Sequence, residues 1–329
     1  MPTSPEESSI GFVVIGRNEG ARLEECLRCL NPSRQPIVYA DSASTDGSPQ
    51  LARKLGAEVV VLDESEPLTA ARGRMAGLQQ LRARHPGCRY VHFIDGDCIL
   101  QQGWLEQALA FLDSHPRVAA VCGQRFEAHP NASPYNRLID EEWNTPVGRA
   151  DACGGDALMR IEAVEQVGGF RTDLRAGEEP ELCARLRAAG WEIWRLDVRM
   201  TEHDARITQV SQWWKRALRS GYGYAQVWER TRSLPRPLYG DILLRVFFWT
   251  VALPLLWAGA ALIVGEPLLL LGIPLTYCAQ IVRLAVKRGA SRKLSWIYAG
   301  LMVGMKFAEL SGVLRYLLRS ESRRLTSYR

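Results

Sequence analysis

The stretch YVHFIDGDCIL, residues 90–100, places two carboxylates, Asp95 and Asp97, directly after a run of apolar residues. Side chains two positions apart in an extended segment point the same way, and Gly96 leaves room for a ligand near the backbone. Two carboxylates aimed at one spot repel each other unless a cation lies between them. Because Mg²⁺ and Mn²⁺ prefer oxygen ligands, the stretch predicts a metal bound to a diphosphate. A simple Asp-Gly turn is the alternative.

Residues 11–110 alternate short β-branched apolar runs with helical patterns. Such alternation is typical of βαβ units and of a parallel sheet covered on both faces. Ligands of these sheets bind beyond the carboxyl ends of the strands. Polar residues follow the predicted strands at that edge: Asn18, Glu19, Asp41, Asp95 and Asp97. The pattern therefore predicts an α/β, Rossmann-like domain with a ligand site at this edge of the sheet.

The composition shifts after residue 240, where two segments are uncharged and mainly apolar. A bilayer needs about 20 such residues for one helical span. We therefore predict a catalytic domain over residues 1–230 and a membrane region over 231–329, with a transmembrane helical hairpin at about 246–265 and 267–282. A hairpin buried in a soluble helical domain is the alternative.

Basic residues flank the predicted hairpin on both sides, whereas its turn carries only Glu266. This distribution predicts a multi-pass protein of the cell membrane whose N-terminal domain faces the cytoplasm. A third apolar stretch, at about 294–318, contains Lys306 and Glu309 and leads into a basic tail. We expect this stretch to form an amphipathic helix in the membrane interface, because a third crossing would place the basic tail outside.

The formal net charge of +5 over 329 residues is too small to indicate a nucleic-acid partner, and none is expected. Eight cysteines lie among apolar or small neighbours, and the N-terminus lacks the pattern of a cleavable secretion signal. We therefore expect reduced thiols in a cytoplasmic compartment. The CLRC pair could be half of a zinc site, but its place on an apolar helical stripe favours packing.

Five segments resemble, in sequence and in order, the family-2 glycosyltransferases of the GT-A fold. They are VVIGRNEGARLEECL, YADSASTDGS, FIDGDCIL, CGGDALMRIEAVEQVGGF and GEEPELCARLRAAG, within about residues 11–225. The resemblance implies a nucleotide-sugar donor, with UDP as the expected nucleotide. It implies that Mn²⁺ or Mg²⁺ is held by Asp97 and stabilises the departing diphosphate. The residues implied for the base and ribose of the donor are Asn18, Glu19, Asp41 and Asp95.

The resemblance also implies a catalytic carboxylate just before a helix, at Glu179, with Glu178 beside it. Pro180 suits the first helical position, and the apolar spacing leaves Glu179 at an exposed N-terminus. A carboxylate there can take a proton from an acceptor hydroxyl during attack on the anomeric carbon. The family usually has aspartate at this position, so Glu178 and Glu181 stay open as alternatives. Acids favoured only by the helix dipole are a further alternative.

Other site residues are also implied by the resemblance. Arg74, or Arg72 in its place, is expected near the diphosphate, although a solvated helix face is the alternative. His203 falls where many relatives carry a histidine that completes the metal shell, although a lone histidine is more often structural. Some retaining enzymes use such a histidine, so inversion is the expected and not the only outcome. Asp156 lies in the segment assigned to the acceptor side.

The stretch QVSQWWKRALRSGYGYAQ combines Trp213 and Trp214 with basic residues just before the predicted hairpin. We expect it to meet a lipid-linked diphosphate at the membrane surface, with plain interfacial anchoring as the alternative. The sequence thus predicts a metal-dependent glycosyltransferase that moves one sugar to a lipid, lipid-linked or saccharide acceptor. A sugar or lipid-headgroup nucleotidyltransferase and a non-catalytic nucleotide-sugar-binding membrane scaffold are the rival functions.

Overall fold

The computed structural model describes residues 9–30 and 35–326, without the side chains of residues 320–326. By its backbone contacts the chain divides into two compact units. The first comprises the described residues up to His129, together with Asp140–Ala205 and Ser233–Arg236. The second comprises Pro130–Ile139, Arg206–Arg232 and the described residues from Pro237 onward.

Nine strands in the described part of the chain form one mixed sheet. They are β1 (Ile10–Gly16), β2 (Ile37–Asp41), β3 (Glu58–Val61), β4 (Tyr90–Asp95), β5 (Cys98–Leu100), β6 (Val118–Glu127), β7 (Gly148–Ala150), β8 (Ala157–Arg160) and β9 (Glu192–His203). Their order is β3-β2-β1-β4-β8-β6-β9-β5, with β7 paired to β9. Strands β1 to β4 run parallel, whereas β8 is antiparallel to both β4 and β6. The predicted α/β fold with a parallel N-terminal half is confirmed.

The helices between these strands are short. They are α1 (Ala21–Cys29), α2 (Ser48–Lys54), α3 (Ala70–Arg84), α4 (Trp104–Ser114), α5 (Pro134–Trp143), α6 (Ile161–Gln166) and α7 (Glu178–Ala188). Helices α1 to α4 follow β1, β2, β3 and β5 in turn, as expected for βαβ units. The sequence prediction included the first four helices, α6 and α7, but not α5.

Helix α3 lies tightly on β1 because two glycines remove the side chains between them. A Cβ at Gly77 would lie 2.4 Å from Val13, and one at Gly11 would lie 2.5 Å from Leu81. Both contacts are far shorter than packed carbon atoms allow, so a larger residue at either position would require the side chain of Val13 or Leu81 to shift. This packing fixes the first turns of α3, which carry Arg74, beside the end of β1.

The core of the first unit contains a histidine. His92 of β4 is fully buried, and its Nε2 atom accepts a hydrogen bond of 2.8 Å from the indole Nε1–H of Trp104. Burial lowers the pKa of His92 to about 4, because the charged imidazolium would lose its hydration there. The residue is therefore neutral in the folded chain at physiological pH.

The second unit is helical. After α8 (Val210–Thr231) come α9 (Gly240–Phe247), a π-helical turn (Phe248–Ala252), α10 (Leu253–Val264), a 3-10 segment (Pro267–Leu271), α11 (Gly272–Arg288) and α12 (Lys293–Thr326). Among the described residues, three helical stretches are long and apolar enough to cross a membrane: Gly240–Val264, Pro267–Arg288 and Lys293–Arg319. The first two contain the predicted hairpin and extend it at its outer ends.

The predicted domain boundary and the predicted interfacial helix both lie in the helical second unit. The predicted domain ended at residue 230, whereas α8 belongs to the second compact unit together with the apolar helices. The predicted interfacial helix at about 294–318 is part of the 34-residue α12, whose length and composition would also allow a crossing. The functional domain boundary and the interfacial placement of this helix stay predictions.

Two glycines bring α8 and α12 into backbone contact within the second unit. A Cβ at Gly312 would lie 2.1 Å from the carbonyl oxygen of Leu218 and 2.6 Å from the backbone nitrogen of Tyr222. A Cβ at Gly221 would lie 2.0 Å from the carbonyl oxygen of Glu309. Backbone atoms cannot move aside as side chains do, so both positions require glycine.

We predict that Gly312→Ala separates α8 from α12 and lowers the unfolding temperature of the detergent-purified protein. The cost should be roughly 1–3 kcal/mol, which is typical of overpacking. Gly304→Ala in the same helix is the matched control, because no atom lies within 4 Å of its Cβ position. Alanine favours a helix over glycine by about 1 kcal/mol, so the control should be neutral or stabilising. Equal unfolding temperatures for the two variants would contradict the packing argument.

We also predict that His92 makes the protein acid-sensitive. Below pH 6.5 the unfolded chain binds a proton at this residue, whereas the folded chain does so only near pH 4. The contribution of His92 to the free energy of unfolding is therefore complete above pH 6.5. As the pH falls towards 4, protonation of the unfolded chain lowers this free energy by about 3 kcal/mol. In His92→Gln this part of the fall in unfolding free energy should vanish. The measurement is chemical denaturation across this pH range, and an unchanged slope would contradict the prediction.

Candidate active site

Strand pairing brings Asp97 and His203 together although they lie over one hundred residues apart. Strand β5 pairs antiparallel with β9, and in this register Cys98 lies opposite His203. Asp97 immediately precedes Cys98, so its carboxylate reaches the imidazole, with 3.3 Å between Oδ2 and Nε2. The predicted neighbourhood of Asp97 and His203 is thus present at the edge of the sheet.

The carboxylate of Asp97 is surrounded by positive charge. Arg22 lies 3.3 Å from the same Oδ2 atom that faces His203. Burial alone would raise the pKa of Asp97, but the hydrogen bond and charge of His203, with the guanidiniums of Arg22 and Arg125, hold this pKa below its usual range. Asp97 is therefore ionised at neutral pH and suited to binding a cation.

Asp97 and His203 fit a divalent metal by the spacing of their donor atoms. Two neighbouring ligands of an octahedral ion at roughly 2.1 Å lie about 3 Å apart, close to the observed separation. The Nδ1 atom of His203 is buried and has no hydrogen-bond partner among the described residues. Cys98 lies beside this pair, but burial raises the pKa of its thiol, which stays protonated and is a poor metal ligand. A carboxylate and an imidazole suit Mn²⁺, and with open positions Mg²⁺ as well.

Asp95 does not share this group and pairs with two arginines instead. Its Oδ1 atom lies 2.9 Å from Arg74, and its Oδ2 atom lies 3.5 Å from Arg125. Gly96 between the aspartates packs on the protein itself: its N–H donates to the carbonyl of Ile15 at 2.7 Å, and a Cβ would lie 3.1 Å from that oxygen. The expectation that Gly96 leaves room for a ligand is corrected, because the neighbouring backbone occupies this space.

Asp156, expected on the acceptor side, is 1 % exposed. Its Oδ1 atom accepts the backbone N–H of Asp95 at 3.1 Å, and its Oδ2 atom accepts the hydroxyl of Thr201 at 2.9 Å. Arg125 lies 3.7 Å from Oδ2, and these contacts hold the pKa of Asp156 below its usual range although burial opposes this. Its contacts fix the end of β4, and an acceptor contact of this side chain stays a prediction.

The two glutamates at the start of α7 have different surroundings. Glu178 points towards Arg74, with 2.6 Å between the carboxylate and the guanidinium. Glu179 was expected to be exposed, but only 6 % of it is accessible, because it lies against Cys153 and Cys183. Burial raises the pKa of Glu179, although hydrogen bonds from both cysteines oppose this shift. The third candidate, Glu181, pairs with Arg185 and is buried.

The residues expected to hold the nucleotide form a hydrogen-bonded loop after β1 and β2. Asn18 has a positive φ of 56°, its N–H donates to Ser44, and its Oδ1 accepts the N–H of Thr45. Asp41 is fully buried and accepts the hydroxyl of Tyr39 and the N–H of Ser44. These contacts connect the two strand ends.

Glu19 lies in the loop after β1, beside Arg22, which also reaches Asp97. Burial and the charge of Asp97 raise the pKa of Glu19. The binding of a nucleotide by this loop stays a prediction.

Trp213 and Trp214 lie on α8 in the second unit. Trp213 is buried against Tyr135, and the guanidinium of Arg216 lies 5.4 Å from its ring centre. Trp214 is exposed. The buried Trp213 suits an anchoring role, and the exposed Trp214 suits a role at the surface. A contact of either residue with lipid stays a prediction.

Sequence reasoning missed three residues of the site. Arg22 pairs with Glu19 and Asp97, Arg125 lies between Asp95 and Asp156, and Trp143 contacts both Arg125 and His203. The guanidinium of Arg125 lies 4.8 Å from the centre of the Trp143 ring, which meets His203 edge-on at 5.1 Å. The available sequence signal for Arg125 was its position at the end of the apolar run VAAVCGQR, because a charged residue beside a buried strand needs a partner of opposite charge.

The chain is similar to known glycosyltransferases in sequence. Residues 12–168 match the family described as Glycosyl transferase family 2. The succinoglycan biosynthesis protein ExoA of Rhizobium meliloti (strain 1021) is 29% identical over 290 residues, 80% of this chain and 86% of its own length. Glycosyltransferase AglE of Haloferax volcanii is 25% identical over 245 residues, 70% of this chain and 77% of its own length.

A solved structure shares the fold. The mannosyltransferase PcManGT of Pyrobaculum calidifontis, in complex with GDP-Man and Mn²⁺, superposes with a TM-score of 0.60 at 17% identity, over 95% of this chain and 89% of its own. The fold is of the GT-A type. Residues 12–168 thus match a glycosyltransferase family 2 domain, and the chain is a glycosyltransferase, as its sequence resemblance implied.

We predict that Arg74 stabilises the site by joining Asp95 to Glu178. The side chain of Arg74 is 3% exposed, so Arg74→Met leaves two partly buried carboxylates without their cation. Removal of one partner from a buried pair costs roughly 3–5 kcal/mol, measurable by chemical denaturation. The double variant Arg74→Met/Glu178→Gln should recover part of this loss, because one uncompensated charge is gone.

The control for this prediction is Arg28→Met, which breaks the exposed pair between Arg28 and Glu24. Exposed pairs contribute about 0–1 kcal/mol, so this variant should unfold almost as the wild type does. A loss of stability in Arg74→Met no greater than that in Arg28→Met would contradict the proposed role of Arg74.

Proposed function

We propose that the chain transfers a single sugar from a nucleoside-diphosphate sugar to a lipid or lipid-linked acceptor at the cytoplasmic face of a membrane. The observation that carries this proposal is the meeting of Asp97, His203, Asp95 and the start of α7 at one edge of the sheet. In a GT-A fold this edge is where the nucleotide-sugar donor is expected to bind. The apolar helices of the second unit support a membrane-embedded acceptor.

Asp97 and His203 are the residues that would hold Mn²⁺ or Mg²⁺. When bound there, the ion supplies positive charge beside the diphosphate of the donor. The structural relative PcManGT carries Mn²⁺ and GDP-Man, which supports testing manganese first and including GDP-sugars beside the expected UDP-sugars.

Glu179 is proposed to act as the general base. A raised pKa favours proton uptake, because the carboxylate becomes a stronger base than an exposed glutamate. As the acceptor oxygen bonds to the anomeric carbon, its proton passes to Glu179 and the bond from that carbon to the diphosphate oxygen breaks. Attack on the face opposite the diphosphate inverts the configuration at this carbon.

The membrane orientation follows from charge. The segments before and after the apolar hairpin are basic, whereas its turn carries only Glu266. Basic flanks remain on the cytoplasmic side of bacterial and other cell membranes, so the N-terminal unit is proposed to face the cytoplasm. Nucleotide sugars in that compartment would reach the site directly.

We predict that detergent-purified protein, given membrane lipid extract, releases nucleoside diphosphate from one member of a panel of UDP- and GDP-sugars. Release should require Mn²⁺ or Mg²⁺ and the extract. Asp97→Asn should raise the metal concentration needed, and Glu179→Gln should lower kcat by roughly 100-fold or more, because general-base catalysis contributes this much. The configuration of the new glycosidic bond, measured by NMR, tests inversion.

Asp63→Asn is the control, because Asp63 also follows a strand of the parallel sheet but lies exposed and bonds to Ser65. This variant should release the diphosphate at the wild-type rate. Full activity of Glu179→Gln, or activity unaffected by removal of divalent ions, would contradict the corresponding part of the proposal.

A further inference from the structure

Two cysteines converge on Glu179 in the core of the first unit. Cys153 lies in the loop before β8, and Cys183 lies one turn after Glu179 on α7. The Oε1 atom of Glu179 lies 3.2 Å from the sulfur of Cys153 and 3.0 Å from that of Cys183. The two sulfurs are 3.6 Å apart, and the three ligand-type atoms form one buried group.

The contacts of the Glu179 carboxylate fall on one of its two oxygens. Oε1 also accepts the backbone N–H of Cys153 at 2.6 Å, so three donors surround it. Oε2 makes no hydrogen bond to the described residues, and this oxygen is not fully buried. The carboxylate is thus held by one oxygen, and its other oxygen retains access to the surroundings.

We infer that Cys153 and Cys183 are positioning residues, which donate their thiol hydrogens to Oε1 of Glu179 and leave Oε2 to receive the proton of the acceptor hydroxyl. This inference rests on the proposed role of Glu179 as the base. The two thiols touch neither donor nor acceptor in this arrangement. They fix the rotation of the carboxylate, which has one more rotatable bond than the aspartate usual in the family.

The thiols are suited to be donors because they stay protonated. The contact with Cys183 and burial raise the pKa of Cys153 well above its usual value. Burial and the nearby charge of Glu179 raise the pKa of Cys183 to about 11, although its contact with Cys153 opposes this. A buried and protonated thiol is a poor nucleophile and a poor metal ligand, so donation to the carboxylate is its available chemistry.

Other groups also act on Glu179. The charge of Glu178 raises its pKa, and the guanidinium of Arg74 lies within electrostatic range. Cys122 of β6, buried in the same core, is close enough for its own pKa to respond to the charge of Glu179. None of these groups replaces the two thiols as hydrogen-bond donors to Oε1 in the described part of the chain, so loss of a thiol raises the pKa of Glu179 further.

The test compares Cys153→Ala and Cys183→Ala with Cys183→Ser in the whole chain, using membrane lipid extract and whichever UDP- or GDP-sugar of the panel the wild-type protein turns over. Each alanine variant should lower kcat about tenfold, the typical effect of one hydrogen bond to a charged group, with the donor KM within about twofold of wild type. The acidic limb of the kcat–pH profile should move to higher pH, because the carboxylate is then ionised only at higher pH. Serine restores a donor and should return both readouts towards wild type.

Cys122→Ala is the matched control, since it removes a buried thiol from the same core without removing a donor to Oε1. It should leave the pH profile unchanged. A wild-type pH profile in both single alanine variants, or equal shifts in Cys122→Ala and Cys183→Ala, would overturn the inference. Activity of Glu179→Gln would instead overturn the proposed base, so the two failures are distinguishable.

Discussion

Three arginines each join two carboxylates at the edge of the sheet. Arg22 contacts Glu19 and Asp97, Arg74 contacts Asp95 and Glu178, and Arg125 contacts Asp95 and Asp156. The five carboxylates come from four separate places in the chain, and none could be buried so close to the others without a shared cation. The tight packing of α3 on β1, the register of β5 on β9 and the anchoring of β4 by Asp156 all serve to hold these pairs.

The balance of charge in this cluster favours a divalent cation. Five carboxylates meet three guanidiniums, so the described cluster carries an excess of negative charge before any donor is present. A nucleoside diphosphate adds more negative charge to the same edge. Binding of such a donor is therefore unfavourable unless positive charge enters with it, and Asp97 with His203 is the proposed pair of ligands for that cation. Burial, together with the charge of Asp97, raises the pKa of Glu19.

Local signals in the sequence were sufficient for the βαβ half and for the polar residues at its strand ends. Hydrophobic period and turn residues are properties of short segments, so β1 to β4 and their helices could be predicted. The three-residue β5 and the full length of β9 could not, because their pairing is non-local and their own residues carry little pattern. Arg125 was missed for this reason: its position depends on β6 lying beside β9, where it pairs in register with Thr201.

The start of α7 shows a different limit. Apolar spacing indicated which face of the helix is buried, but it placed Glu179 in solvent because an acid is rarely buried without a cation. The three donors to Oε1 from Cys153 and Cys183 make this burial tolerable, and they come from a loop 26 residues earlier and from the next turn of the helix. A sequence window around GEEPEL contains only one of these two cysteines.

The pairing of α8 with α12 bears on how the C-terminal helix meets a membrane. From Glu309 to Tyr316, α12 lies against the part of α8 between Leu218 and Glu229. Helix α8 carries Lys215, Arg216 and Arg219 within one and a half turns, and such charges are costly in a bilayer core. If α8 stays outside the hydrocarbon, α12 from Glu309 onward stays there too. The remaining apolar stretch of α12 is then shorter than the ~20 residues of a span, which favours the interfacial placement.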